Sequence, residues 1–153
     1  MSVITLKFVR NHWDIDDIVE ISRCHHSESI YQENPFDRRH FTEVVSQALV
    51  EPHRCVAMLA LSEDRPIGYI YGELIRSIHT DDQVGKVQSW YVLPEYRGSS
   101  AAIKLIHAFK HWLTSCRVSQ LSVSVDSGIR MEQTDRFLKR LGFESTGGNY
   151  CLN

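Results

Sequence analysis

The chain has 153 residues, of which 42% are hydrophobic and 24% charged, as expected for one ordinary globular domain. Its 17 Lys and Arg and 19 Asp and Glu give a formal net charge of −2, so no overall basic field attracts nucleic acid or an anionic membrane. No stretch approaches the roughly 18 apolar residues that span a bilayer, and the N-terminal segment does not resemble a signal peptide. We therefore expect a single domain over 1–153 in the cytoplasm, with no nucleic-acid or membrane partner.

Metal binding is not expected from the cysteines and histidines. The four cysteines are scattered without a C-x-x-C pair, which favours neither a zinc framework nor a disulfide scaffold; they are Cys24, Cys55, Cys116 and Cys151. His107 and His111 have the i, i+4 spacing of zinc ligands, but no cysteine or carboxylate completes a site on that helix face.

The sequence pattern in the first third of the chain predicts one strand and two helices. Residues 3–9 alternate enough to form a strand, and Asp14 is typical of an N-cap before an acidic first turn. Asp37 predicts the start of a second helix, whose apolar residues recur at helical spacing; they are Phe41, Val44, Val45, Ala48 and Leu49.

The middle of the chain predicts strands followed by a helix. Residues 55–62 and 66–77 are apolar runs separated by a polar turn, which indicates a hairpin, and residues 86–92 extend the pattern to a third strand. After Gly98 an apolar stripe with helical spacing predicts a helix that packs on the sheet; the stripe is formed by Ala102, Leu105, Ile106, Phe109, Trp112 and Leu113.

The last third predicts a strand, a short helix and a final extended stretch. Residues 120–127 alternate strictly, as in a half-buried strand. Gly142 is typical of a left-handed C-cap, and Phe143 begins the last stretch. Because hairpins come first and a crossover later, the order predicts an α+β fold with a mixed sheet.

The turn VLPEYRG at 92–98 and the segment RFLKRLGFES at 136–145 resemble the GNAT N-acetyltransferase superfamily. The first is similar to the stretch that introduces that family's pyrophosphate loop, and the second to its penultimate helix. The stretches at 25–37 and 125–134 are similar to a subset often met in bacteriophages and bacteria. The resemblance implies a mostly antiparallel central sheet of six to seven strands flanked by about four helices.

The turn after residue 92 offers unpaired amides to a ligand. When a turn of small residues connects a strand to a helix, several unpaired backbone N–H groups point toward the same position, which favours phosphate binding. The resemblance implies acetyl-CoA as cosubstrate, in a gap where a bulge separates the fourth strand from the fifth. The main-chain N–H of Tyr91 or Val92 would meet the thioester carbonyl, and the family's loop Gly falls on Ser100. The implied pyrophosphate loop comprises Arg97, Gly98, Ser99, Ser100, Ala101 and Ala102.

Proton transfer requires a base for the amine and an acid for the leaving thiolate. Glu73, in the predicted strand 66–77, shares a face with apolar and aromatic residues and is the predicted base; Glu28 and Glu33 are alternatives. Tyr31 belongs with Glu28 and Glu33 to the predicted acceptor-lining segment.

The family's general-acid Tyr corresponds to Leu138, and its pantetheine-contacting Asn falls near Met131. Transfer then proceeds without a dedicated acid, another hydroxyl such as Tyr150 or Thr134 replaces it, or catalysis has been lost.

Two functions therefore follow from the sequence. The first is an acetyl-CoA-dependent N-acetyltransferase that modifies a primary amine of a small molecule, peptide or protein. The second is a non-catalytic protein of the same fold that binds coenzyme A or has a structural role. Acidic residues near the expected acceptor entrance favour a cationic acceptor. A homodimer is a further expectation, with the terminal stretch NYCL as a pairing edge.

Overall fold

The computed structural model describes residues 3–152 and contains one sheet of five strands in the order β1-β2-β3-β4-β5. Strands β1 to β4 are antiparallel to their neighbours, whereas β5 is parallel to β4. The strands are β1 (Ile4–Phe8), β2 (Cys55–Ser62), β3 (Arg65–Arg76), β4 (Gln83–Val92) and β5 (Leu121–Val123).

Within residues 3–152, four helices have eight or more residues, in agreement with the predicted number. They are α1 (His12–Glu28), α2 (Arg38–Val45), α4 (Ala101–Ser115) and α5 (Met131–Arg140). A one-turn helix, α3 (Gln47–Val50), continues α2 after Ser46, and a 3-10 turn (Pro94–Tyr96) follows β4. The predicted α+β class is confirmed.

The predicted strand count is wrong, because the described chain forms five strands and not six to seven. Residues 143–152 form no strand; the run Glu144–Asn149 is polar and contains two glycines, a composition with low strand propensity. Phe143 packs against the core, but the side chains of Tyr150 and Leu152 are 95% and 100% exposed and do not anchor the rest of this stretch. The proposed pairing edge at 149–152 is therefore not a strand.

Side-chain hydrogen bonds cap the N-termini of α1 and α2. Asp37 caps α2 as predicted, accepting from the His40 amide at 2.9 Å. Asp14 is not the N-cap of α1: Asn11 takes that position and accepts from the Asp14 amide at 3.0 Å. Asp14 instead reaches back to the Arg10 amide, because a carboxylate in the first turn satisfies a donor outside the helix.

The helices cover both faces of the sheet. A Cβ on Gly72 or Gly85 would point into Phe109 or Leu113 of α4, so α4 covers that face. Tyr69, which alternates with these glycine positions, points to the other face and contacts α1 and α2.

A β-bulge interrupts β4 in its second half. Tyr71 pairs with Ser89 and Gly72 pairs with Val87, so Gln88 is an extra residue opposite β3. Pairing with β5 ends at Val87, where the bulge begins. The bulge predicted from the family resemblance is therefore present, and it explains why β5 is much shorter than the alternating run 120–127: beyond Val123 it has no partner.

Candidate active site

The two strands separate beyond Val87 and leave a cleft between them. The cleft has a cavity volume of about 340 Å³ and is bounded by residues 87–92 of β4, the turn after β4, residues 123–127 and the first half of α5. The turn borders one end of it, and the bulge, where β4 and β5 are still paired, borders the other. We call this cavity the donor cleft.

Main-chain amides of β4 face the donor cleft in alternation. The Leu93 N–H donates to the Ile67 carbonyl of β3 at 2.8 Å. Because backbone groups of a strand alternate sides, the Tyr91 N–H also faces β3. The amides of Trp90 and Val92 are directed into the donor cleft. Of the two amides predicted to meet a thioester, the geometry therefore favours Val92.

The turn has a backbone conformation at position 98 that favours glycine. Gly98 has φ +91°, the left-handed region that favours glycine. Ser100 has φ −79° and ψ 2°, so serine at this position causes no backbone strain. Within residues 3–152 the amides of Gly98, Ser100 and Ala102 have no acceptor, whereas the Ser99 and Ala101 amides bond to Tyr96 and Ser99. Three amides at the start of α4 are thus available to an anion.

Arg97 is held by an acidic residue of α1. Its guanidinium donates to both Glu28 oxygens, at 3.0 and 2.7 Å, and lies over the Tyr91 ring, 5.3 Å from the centroid. The Tyr91 hydroxyl also donates to Glu28. The hydrogen bond from Arg97 lowers the pKa of the Glu28 carboxyl, so Glu28 is anionic at neutral pH and neutralises Arg97.

His25, on α1, lines the donor cleft and contacts tyrosines of β3 and β4. Its ring stacks on Tyr91 with centroids 4.6 Å apart, and its Nδ1 lies 3.0 Å from the Tyr69 hydroxyl. The Tyr69 hydroxyl lies in turn 2.6 Å from the Ser89 hydroxyl. The phenol is fully buried, and burial raises the pKa of Tyr69 to about 12. Sequence analysis assigned His25 no role in proton transfer, because its only signal was a pair of histidines at a helix end.

A second cavity lies on the α1 and α2 face. Its volume is about 280 Å³, and His25, Asp126 and Ser127 line both this cavity and the donor cleft. Of the residues predicted to line the acceptor site, Tyr31 lines this cavity, whereas Glu28 and Glu33 do not. The remaining wall is aromatic, acidic and polar, formed by Ser22, His26, Ser29, Pro35, Phe36, Asp37, His40 and Phe41. We call it the acceptor pocket.

Glu73 lies outside the linings of both cavities. Its carboxylate accepts from Arg54 Nη1 at 2.6 Å and from the Gln88 amide at 2.9 Å. Gln88, the bulge residue, lines the donor cleft. The predicted base therefore reaches the cleft only through an intervening amide.

Helix α5 presents a regular face to the donor cleft. Leu138, which takes the place of the family's acid, is buried and is not part of this lining. The lining residues follow helical spacing and are Arg130, Gln133, Thr134 and Phe137. Of the hydroxyls predicted as substitutes, Thr134 lines the cleft, whereas Tyr150 is 95% exposed.

Residues 3–152 contain neither a cluster of metal ligands nor a membrane-spanning helix. No three His, Cys, Asp or Glu side chains in this part of the chain lie where they could share a metal ion. Of the helices described, none combines the length and apolarity that a membrane span requires.

The pH dependence of stability should report on His25. Burial lowers the pKa of His25 to about 4, more than the opposing effects of Glu28 and Asp126, while Arg97 and His26 act with burial. Because an unfolded histidine titrates near 6.5, the unfolded chain holds more protons between pH 6.5 and 4, and stability falls as pH decreases. We expect His25 to account for a loss of about 3 kcal/mol by pH 4. Urea unfolding of the wild type and His25→Gln should show this loss only in the wild type; equal profiles would contradict it.

Comparisons with known proteins agree with this architecture. A family model described as the acetyltransferase (GNAT) family matches residues 15–143. The chain therefore belongs to the GNAT acetyltransferase family, and the resemblance seen in the sequence is confirmed. No curated protein matches the chain in sequence.

Solved structures share the fold at low sequence identity. A predicted acetyltransferase with acetyl-CoA from Clostridium acetobutylicum has a TM-score of 0.78 at 15% identity, covering 99% of this chain and 96% of that one. A ribosomal-protein-alanine N-acetyltransferase from Brucella melitensis has a TM-score of 0.73 at 14% identity, covering 99% of each chain. An aminoglycoside 6'-N-acetyltransferase from Acinetobacter haemolyticus has a TM-score of 0.74 at 18% identity, covering 97% of each. At these identities the likeness shows the fold alone.

Proposed function

We propose that the protein is an acetyl-CoA-dependent N-acetyltransferase that transfers an acetyl group directly to a primary amine. The observation that carries the proposal is the donor cleft, which joins a helix N-terminus with free amides to a strand whose N–H groups face the gap. Family membership supports acyl transfer, and the similar fold from Clostridium acetobutylicum was solved with acetyl-CoA.

The donor would be held from the turn to the bulge. The amides of Gly98, Ser100 and Ala102 and the positive end of α4 would bind the pyrophosphate, with Arg97 adding a charge-assisted contact. The pantetheine arm would run along β4 into the donor cleft. The amide of Val92, or of Trp90 one step deeper, would donate to the thioester carbonyl and stabilise the oxyanion.

The acceptor would enter from the opposite face through the acceptor pocket. Asp37 and Asp126 give this pocket negative charge, and Tyr31, Phe36 and Phe41 give it aromatic walls, which together suit a cationic amine with an apolar body. The amine nitrogen would meet the thioester beside His25, where the two cavities share a wall. The acceptor is a small molecule or a peptide.

Two of the three carboxylates predicted as bases are neutralised by guanidinium groups. Glu73 is paired with Arg54, and Glu28 with Arg97, which weakens each as a proton acceptor. Glu73 stays a predicted base that acts through Gln88. The geometry instead favours an uncharged proton acceptor at the wall that the two cavities share. Homodimer formation also stays a prediction.

The proposed function is tested by measuring free thiol released from acetyl-CoA in the presence of amines. Proteins of similar fold act on aminoglycosides and on ribosomal-protein alanine. The amines to be tested are therefore sisomicin, an alanyl peptide and butylamine. Amine-dependent thiol release with a matching acetylated product is the expected result. Binding of acetyl-CoA without any release would favour the second candidate, a non-catalytic coenzyme-binding protein, which the buried Leu138 in the acid position supports.

Coenzyme affinity should respond to the Glu28 pair. Glu28→Gln removes the charge that neutralises Arg97, so Arg97 becomes free to bind phosphate, and we expect the Kd for coenzyme A to fall about twofold to fivefold. Isothermal titration calorimetry measures the change. Glu20→Gln on the same helix, which also pairs with an arginine, is the control and should bind like the wild type. Weaker binding by Glu28→Gln would mean that Glu28 holds Arg97 in its binding position.

A further inference from the structure

A chain of hydrogen-bonding groups lies on the α1 and α2 face of the sheet and connects the two cavities. It runs from the His25 ring through the Tyr69 hydroxyl to the Ser89 hydroxyl, with separations of 3.0 and 2.6 Å. His25 lines the acceptor pocket and the donor cleft, and Ser89 lines the donor cleft. Tyr69 is 0% exposed, so its hydroxyl exchanges protons with its buried neighbours His25, Ser89 and Ser22 and not with bulk water.

The position of Ser89 places the far end of this chain near the expected leaving group. Ser89 directly follows the bulge residue Gln88, at the end of the donor cleft that borders the last paired residues of β4 and β5. With the pyrophosphate at the turn, the pantetheine arm would run along β4 toward this end, so the thioester would lie deepest, with its carbonyl at the Trp90 amide and its sulfur near Ser89. The other end of the chain is the His25 ring, which lines the acceptor pocket.

We propose that His25, Tyr69 and Ser89 form a proton relay that carries the proton of the attacking amine to the leaving thiolate. This inference rests on the proposed acetyltransferase function. It gives the reaction an acid although the family's acid position is Leu138, and it makes His25 and Ser89 catalytic residues that touch the substrates. Tyr69 acts between them as a positioning and relay residue.

Each group in the relay gives up one proton for every proton that it accepts. In the tautomer with Nδ1 protonated, the neutral amine attacks the thioester carbon, the C–N bond forms, and the nitrogen gives one proton to His25 Nε2. The Nδ1 proton passes to the Tyr69 oxygen, the phenol proton to Ser89, and the Ser89 proton to sulfur as the C–S bond breaks. The products are the amide and the free thiol. The chain resets by hydroxyl rotation and exchange of the Nε2 proton with water.

The buried environment of His25 is consistent with a relay and unsuited to a simple base. Burial lowers the pKa of His25 to about 4, so an imidazolium is unfavourable near neutral pH. A relay avoids it, because His25 gains one proton at Nε2 while it loses another at Nδ1. The charged groups around the ring are Glu28, Asp126 and Arg97, and the pairing of Glu28 with Arg97 leaves the amine as the proton source.

The test compares hydroxyl deletions along and beside the relay. Tyr69→Phe and Ser89→Ala should each lower kcat about 100-fold, the lower end of the range for proton transfer, with the KM and thermal stabilisation by acetyl-CoA unchanged. Because the groups act in series, the double variant should be no slower than either single variant. Ser89→Thr, which keeps a hydroxyl, should restore most of the rate. Tyr71→Phe, the next tyrosine on the same face of β3 and also buried, is the control and should keep wild-type kcat.

The assay uses acetyl-CoA with sisomicin, the alanyl peptide and butylamine, so each outcome is decisive. If the wild type acetylates one of them and Tyr69→Phe and Ser89→Ala match Tyr71→Phe, the relay is wrong and the proposed function stands. If the fold-decrease in kcat of the double variant equals the product of the two single decreases, the groups act independently and the relay is also wrong. If the wild type acetylates none of the three, the proposed function fails, and the relay with it.

Discussion

Gly72→Ala is expected to destabilise the protein by about 3 kcal/mol or more, lowering Tm by roughly 10 °C for a chain of this size. An added Cβ would lie 2.4 Å from Phe109 Cε2 and 2.6 Å from the Lys86 carbonyl oxygen. The phenyl ring could move only into the packed face of α4. The carbonyl belongs to β4, so β3 and β4 would have to separate next to the bulge that opens the donor cleft.

The measurement is thermal unfolding of Gly72→Ala beside Gly148→Ala. At Gly148 an added Cβ would meet only the Tyr150 hydroxyl at 3.9 Å, so the control should unfold like the wild type. A second variant, Gly72→Ala with Phe109→Leu, relieves the contact with the ring but not the one with the carbonyl, and we expect incomplete rescue. A Gly72→Ala protein with wild-type Tm would mean that α4 does not pack against β3 as described.

Ala102→Glu is expected to weaken coenzyme A binding at least about 100-fold while leaving the free protein as stable as the wild type. Ala102 lines the donor cleft, and a carboxylate there would occupy the place of the pyrophosphate and repel it. Helix α4 has no acidic residue in its first turn. A glutamate at this end of a helix is stabilising by about 0.3–1 kcal/mol, so loss of binding would not be confused with loss of folding.

The control for this substitution is on the same helix. His107→Glu introduces the same side chain at an exposed position away from the cleft, and it should bind coenzyme A like the wild type. Calorimetric titration gives both affinities, and thermal unfolding without ligand gives both stabilities. Wild-type affinity in Ala102→Glu would place the phosphate site elsewhere.

Local sequence signals predicted the elements well where one face of an element is buried. Strand 55–62 agrees with β2 at both ends, and Gly142 has the expected left-handed conformation with φ +97°, because apolar alternation and glycine caps are local properties. The run 120–127 failed for a non-local reason. Its alternation is real, but a strand also needs a partner, and the bulge at Gln88 removes that partner after three residues.

The candidate site was predictable where it consists of backbone and unpredictable where it depends on side-chain partners. The turn at 97–102 follows from small residues between a strand and a helix. Nothing in the sequence shows that Glu28 pairs with Arg97, 69 positions away, or that His25 meets Tyr69. Glu73 was predicted from its strand face, but its environment is set by Arg54 and by the bulge. Such pairings arise from tertiary packing, which periodicity does not encode.

The most direct test of the donor cleft is the thermal stability of the purified protein with and without acetyl-CoA, in the wild type and in Arg97→Ala. A ligand at 100 times its Kd stabilises the native state by about 2.7 kcal/mol, which for a domain of this size raises Tm by several degrees. We predict that rise in the wild type and a smaller one in Arg97→Ala. An unchanged Tm of the wild type at millimolar acetyl-CoA would contradict the account.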